Sequence, residues 1–194
     1  MQMEDIVEQY PKEIALKGGT RVSVRPLKKT DEKAFHAFFC AVPETERLLF
    51  KNRVTDAKVI KEWCLKIDYG RILPLLAIDK DKKVVADASL HQNLGGWKRH
   101  IGRVSVVVHP TCRGKGIAKA LVSELIAIAR SAGLEYLEAE FMGEQKAARK
   151  VFAELGFAEM VAVPDYVKDM QALKHEYVLM GRRIMTDEEY AGAQ

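Results

Sequence analysis

The stretch that most constrains this 194-residue chain begins at Arg103. An apolar, β-branched run, "RVSVVV", passes through "HPTCRGKG" into an alternation in which Ala118, Val122, Leu125 and Ala129 fall on one helical face. A strand that feeds a helix through a glycine turn leaves the first amides of that helix free at the positive end of its dipole, which suits a phosphate. Gly114 and Gly116 let the main chain approach such an anion, and Arg113 and Lys115 add charge beside it. A nucleotide-binding P-loop would carry Ser or Thr after its lysine. Here Gly116 follows Lys115, which speaks against that alternative.

The rest of the chain interleaves strands and helices. "RVSVRPL" alternates as a strand, and Thr30-Asp31-Glu32 opens a helix through "EKAFHAFFCAV". Pro43 can start another helix, and Thr55-Asp56 a third, on which Ile60, Cys64 and Ile67 recur at helical spacing. "ILPLLAID", "KVVADASLH" and "HIGRVSVVVH" then read as three antiparallel strands joined by "KDKK" and "QNLGGWKR". A helix that stops at Gly133 follows, then the strand "LEYLEAEF", a helix carrying Ala148, Phe152 and Leu155, and last strands near "FAEMVAV" and "HEYVLMGRR".

A net charge of +4 favours an anionic ligand but is no nucleic-acid footprint, and the "WKRH" tip with Trp97 reads as ordinary surface. Cys40, Cys64 and Cys112 are odd in number and widely spaced, which points to a reducing, cytoplasmic setting without disulfide or zinc. The histidines, among them His36, His109 and His175, show no metal spacing. The longest apolar stretch, "ILPLLAI", is far below the roughly 18 residues of a membrane span, so no membrane partner is expected. With no linker or repeat, residues 1–194 read as one domain, with a core of about 21–180, a short N-terminal extension and a C-terminal tail.

The loop Arg113-Gly114-Lys115-Gly116-Ile117-Ala118, preceded by "VVVHP", resembles the Q/R-x-x-G-x-G/A motif of the Gcn5-related N-acetyltransferase (GNAT) superfamily. "QKAARKVFAELGF" is similar to that family's N-x-x-A-x-x-x-Y-x-x-x-G-F, and the opening "VRPLKKTDE" also resembles it, so that the likeness spans about Arg21 to Met180. "VPETERLLF" adds a moderate similarity to the acetyltransferase domain of bacterial protein lysine acetyltransferases. The resemblance implies an α/β (α+β) fold with a central, mostly antiparallel mixed sheet, splayed between its fourth and fifth strands and flanked by helices. It implies acetyl-CoA or another acyl-CoA as co-substrate. The main chain of Val106, Val107 and Val108 would pair with the pantetheine arm, and residues Arg113 to Ala118 would hold the pyrophosphate. Gln145 and Phe152 would lie on the cofactor side.

The departures from the family pattern bear on catalysis. Phe152 stands where many relatives have a tyrosine acid, Gln145 where they have asparagine, and Arg103 where several have a glutamate base. A thiol of pKa near ~8.5 gains only about 2 kcal/mol from protonation at neutral pH, so a missing acid is tolerable. A lysine amine near ~10.4 costs about 4 to 5 kcal/mol to neutralise, so a missing base matters more. His91, His100 and Glu140 are the candidate bases, with Asp87 and Ser105 nearby in sequence pattern. Against those roles, Asp87 reads as a solvated charge near a turn and Glu140 as the partner of a lysine. Cys112 reads as a small packing residue. The implied activity is acetyl transfer to a primary amine, either a protein lysine or a small molecule, in a chain that can form a homodimer. A non-catalytic acyl-CoA sensor is the alternative, because a sensor would need only the loop.

Overall fold

The computed structural model describes residues 3–185. In chain order these form α1 (Met3–Val7), β1 (Lys12–Ala15), β2 (Arg21–Pro26), α2 (Glu32–Cys40), α3 (Glu44–Arg47) and α4 (Ala57–Leu65). There follow β3 (Ile72–Ile78), β4 (Val84–Gln92), β5 (Ile101–Val108), α5 (Ile117–Ser131), β6 (Tyr136–Met142), α6 (Lys146–Glu154), β7 (Ala158–Lys168) and β8 (Lys174–Arg183). One eight-stranded sheet runs in the order β1-β2-β3-β4-β5-β6-β8-β7, antiparallel throughout except where β5 lies parallel to β6.

Alternation along the strands decides the layers, because successive side chains point to opposite faces. Ala86, Ala88 and Leu90 of β4, with Val104 of β5 and Leu137 and Ala139 of β6, join the buried face of α5 (Leu121, Val122, Leu125) in the main core. Leu76 and Val107 face the other way, toward Phe35, Phe38 and Phe39 of α2 and Ile60 and Cys64 of α4. Both helices start and stop where local chemistry says they should. The Asp56 side chain accepts from the Lys58 amide at the head of α4. At the tail of α5, Gly133 at φ +76° lets the amides of Gly133 and Leu134 reach back to the carbonyls of Arg130 and Ala129.

One local expectation changes: Pro43 precedes a single turn, α3, rather than a full helix. The N-terminal extension adds β1, which pairs with β2 from Lys12↔Val24 to Ala15↔Arg21. Counted from "RVSVRPL", which is β2, the fourth and fifth strands are β5 and β6, and the expected splay lies between them.

That splay positions the site. β5 and β6 pair at only three positions, Ile101↔Tyr136, Gly102↔Leu137 and Arg103↔Glu138, and then part. Beyond Arg103, β5 stays with β4 as far as Ala86↔Val108, whereas β6 stays with β8 to Met142↔Tyr177. Gly102 sits at the vertex, where an added Cβ would lie 2.8 Å from Leu134 Cδ1 and 2.9 Å from both Leu137 Cδ2 and Leu90 Cδ1. Gly102→Val should therefore overpack the vertex and cost about 1–3 kcal/mol. Urea unfolding followed by circular dichroism measures this, and an unchanged midpoint would mean that the three leucines move aside freely.

Candidate active site

Parting from β6 leaves one main-chain edge of residues 104–108 without a strand neighbour, a row of donors and acceptors open to an extended ligand. The side chains do not face this wedge: Val106 and Val108 pack on the α5 side and Val107 on the α2 side. The edge runs into the loop at Gly114 (φ +78°) and Gly116 (φ +85°). A Cβ at Gly114 would meet nothing within 4 Å, and one at Gly116 only Lys17 Cγ, at 3.8 Å. Gly116 leads directly into α5, whose first amides have no partner in the preceding turn. Here the N-terminal extension intrudes, since the Lys17 amide donates to the Lys115 carbonyl at 3.1 Å. Both lysine side chains are exposed and, among the described residues, neither has an ion-pair partner.

The Arg113 side chain is engaged within the protein. Its guanidinium binds both carboxylate oxygens of Glu46, at 2.8 and 2.6 Å, and its Nε donates to the Val108 carbonyl at 3.2 Å. It fastens α3 to the end of β5, so the uncommitted charge at the loop belongs to Lys115 and Lys17.

On the α2–α4 side of the sheet, the wedge opens into a cavity of about 990 Å³. Its floor carries the polar alternates of three strands: Asp87, Ser89 and His91 from β4, Arg103 and Ser105 from β5, and Glu138 and Glu140 from β6. Phe35, Phe39 and Trp63 line it from the helices, and Lys51 reaches in from the α3–α4 segment. That segment is tied to the turn between β7 and β8, whose Met170 amide donates to the Leu48 carbonyl at 3.1 Å.

Charges on this floor are paired at one end. Glu140 is bound by Lys51, by Arg103 at 3.2 Å, and by the Tyr177 hydroxyl, which donates at 3.1 Å. Glu138 receives Lys98 at 3.4 Å and Arg103 at 3.7 Å. Burial opposes ionisation of Glu140, but Lys51, Arg103 and Tyr177 outweigh it and hold the carboxyl below its usual range. His91 is shifted down, first by desolvation and then by the charges of Lys51 and Arg103, with Glu140 pulling the other way. Its imidazole is thereby favoured in the neutral form that can accept a proton.

The structure thus brings His91, Glu140 and Gln145 to one cavity, with Val106 and Val107 in its wall, and leaves His100 outside that wall. The His100 ring lies edge-on to Tyr136 at 6.5 Å, and its carbonyl accepts the amides of Glu135 and Tyr136. The Gln145 side-chain oxygen accepts the Met142 amide at 2.8 Å. Phe152 is fully buried between Phe141 and Phe157 and is not among the residues that line the cavity. Glu140 pairs with a lysine as its sequence pattern suggested, and Cys112 packs partly buried against the core. Asp87 is not a solvated charge: it is 7% exposed in the middle of β4. Lys17 and Lys51 carried no motif or periodicity that could single them out, since each reaches the site only through tertiary contact. No group of residues that could hold a metal ion occurs among the described residues, and no described helix is long and apolar enough to cross a membrane.

A mixed sheet opened between β5 and β6, with a glycine loop at the mouth of the opening, defines an acyltransferase-type fold. The sequence profile of the acetyltransferase (GNAT) family matches residues 35–157, and the chain belongs to that family. It is 32% identical over 81 residues to YwnH of Bacillus subtilis (strain 168), which is assigned to phosphinothricin acetylation by its name; the match covers 42% of this chain and 49% of YwnH. It is 31% identical over 96 residues to the L-amino acid N-acyltransferase MnaT of Escherichia coli (strain K12), covering 47% of this chain and 54% of MnaT. The chain thus spans about half the length of these curated relatives. Among solved structures, yncA of Salmonella typhimurium with acetyl-CoA superposes at a TM-score of 0.71 with 20% identity, over 84% of this chain and 94% of that one. The ribosomal-protein-S5-alanine acetyltransferase of Vibrio fischeri superposes at 0.75 with 18% identity, over 89% and 96%.

The charge arrangement at the floor can be tested through His91. Removing the Glu140 carboxylate in Glu140→Gln leaves the imidazole facing Lys51 and Arg103 alone, so its titration midpoint should fall. Removing the cation in Lys51→Ala should raise it. Histidine NMR titration resolves both, and equal midpoints in the three proteins would mean that these charges do not reach the ring.

Proposed function

We propose that the protein is an acyl-CoA-dependent N-acyltransferase that moves an acetyl group from acetyl-CoA to the primary amine of a small, amino-acid-like acceptor. The observation that carries this is the open edge of β5 leading into the glycine loop. An extended amide-bearing arm can pair with residues 104–108, and a pyrophosphate can meet the free amides around Gly114 to Ala118. Arg113 supports the donor site indirectly by fixing the end of β5, while Lys115 and Lys17 supply charge to the phosphates. Acetyl-CoA contributes the activated thioester. The chain's residues bind it, shape the wedge and hold the acceptor's amine near its end.

The acceptor class follows from the cavity. Cations (Lys51, Arg103) and carboxylates (Glu138, Glu140) line the same floor, which suits a molecule carrying both an ammonium and a carboxylate. The names of YwnH and MnaT point the same way for those proteins. A panel of amino acids, polyamines and lysine-containing peptides, read by thiol release from acetyl-CoA, tests the proposal. Turnover confined to lysine peptides would replace the small acceptor with a protein one. Acyl-CoA binding without thiol release across the panel would favour the sensor.

Two loop variants check the donor side. Gly116→Glu should abolish acyl-CoA binding, because a carboxylate would stand where the pyrophosphate must approach. Lys17→Ala should raise KM for acetyl-CoA about fivefold, the loss of one charge-assisted contact at an exposed position, with kcat unchanged. Isothermal calorimetry and initial rates separate these outcomes, and an unchanged KM in Lys17→Ala would detach the N-terminal extension from the donor site.

A further inference from the structure

One carboxylate on the cavity floor has no countercharge. Asp87 lies mid-strand on β4, opposite Leu76 of β3 on one side and Val107 of β5 on the other, and it lines the same cavity as Ser105, Val106 and Val107. Its Oδ1 is buried and, among the described residues, has no hydrogen-bond partner. An unpaired carboxylate oxygen in such a place costs free energy unless something else uses it. Glu138 and Glu140, by contrast, are both engaged by cations.

We propose that Asp87 is the proton acceptor for the amine, the role that Arg103 cannot fill at the position where several relatives have a glutamate. The inference rests on the transferase function proposed above. Asp87 shares its face of the sheet with Ser89 and, across the register, with Ser105, which lie one step nearer the vertex where the acyl end of the arm would reach, so an amine held there can pass its proton to Asp87 through water along the cavity floor. The acceptor's ammonium gives one proton to the Asp87 carboxylate. The freed nitrogen lone pair attacks the thioester carbonyl carbon, forming the C–N bond as the C–S bond breaks. The second nitrogen proton passes to the departing thiolate through solvent, and Asp87 returns its own proton to solvent after product leaves.

The surroundings suit this role. Desolvation pushes the Asp87 carboxyl up to about 7, with the Ser89 hydroxyl lowering it, which puts its ionisation where a base works best at neutral pH. Charged groups around it are committed elsewhere or lie along the floor. Arg25 of β2, beyond Leu76, is bound by Asp31 at 2.7 and 2.8 Å. Arg103 and Glu140 pair with each other, Lys51 is on Glu140, and Glu62 of α4 pairs with Lys66 just beyond its end. His91 is four register pairs further along β4, and α2 turns only Phe35, Phe38 and Phe39 inward.

Asp87→Asn, with Asp87→Glu as the conservative control, tests the proposal against the best acceptor from the panel. Asp87→Asn should lower kcat at least 100-fold, leave KM for acetyl-CoA within twofold, and remove the ionisation near pH 7 from the kcat/KM profile, so that the residual rate follows the acceptor's own pKa. Asp87→Glu should restore part of the rate. Thermal melts show whether the variant is folded and whether Asp87 ionises where proposed. The folded state favours the neutral acid more than the unfolded chain does. Its stabilising contribution is therefore full below about pH 4 and lost as pH rises through about 7. Asparagine does not ionise, so Asp87→Asn should melt above the wild type at pH 8, with the gap closing toward pH 4. A folded Asp87→Asn that keeps the wild-type rate and pH limb would overturn the assignment while leaving the transferase intact. Absence of thiol release from the wild type with every acceptor would remove the transferase, and this inference with it.

Discussion

The structure turns on a sheet that is closed for three residue pairs and then opened. β5 and β6 meet from Ile101 to Arg103, and from there each keeps only its other neighbour. An unpaired strand edge inside a sheet is ordinarily a liability, because its amides and carbonyls must find partners in water or in a ligand. Here the cost is confined to five residues of β5. The vertex is stiffened because Gly102 lets Leu90, Leu134 and Leu137 close on the backbone, and β6 cannot swing back while it is held by β8 along its whole length. The opening is a fixed feature of the packing, and it ends where α5 begins.

Charge on the cavity floor is distributed unevenly, and that unevenness separates two kinds of carboxylate. The parallel register sets Arg103 against Glu138, and the next residue on the same face of β6 is Glu140, so two acids share one arginine. Lys98 and Lys51 supply the remaining cations. Both acids are occupied by cations, and those around Glu140 hold its carboxyl below the usual range. Asp87 has the opposite environment, buried without a cation. Environments that push similar groups apart in pKa are what allow one site both to bind and to move a proton.

The glycine loop shows a related division of labour. Arg113 and Lys115 look equivalent as charges in the loop, yet Glu46 claims the first for architecture and leaves the second exposed. Lys17 is brought beside the loop by a short strand that extends the sheet at its far edge and by its own amide, which bonds to the Lys115 carbonyl.

Much of this was legible from local patterns. The valine run, the two glycines at positive φ and the helical spacing after them are short-range features, and strand, loop and α5 appear where those features put them. Asp87, by contrast, reads as a solvated charge near a turn, and the structure buries it in the middle of β4. What no period could reveal was which element would cover its face. The sequence by itself determined the strand–loop–helix unit, the order of elements and the absence of a glutamate at Arg103. Only the tertiary structure decided that α2 and α4 would roof β4 and bury Asp87, that Glu46 would take Arg113, and that Lys17 and Lys51 would reach the site from distant segments. The physical reason is that periodicity records a residue's immediate backbone geometry, whereas desolvation and pairing depend on neighbours far along the chain.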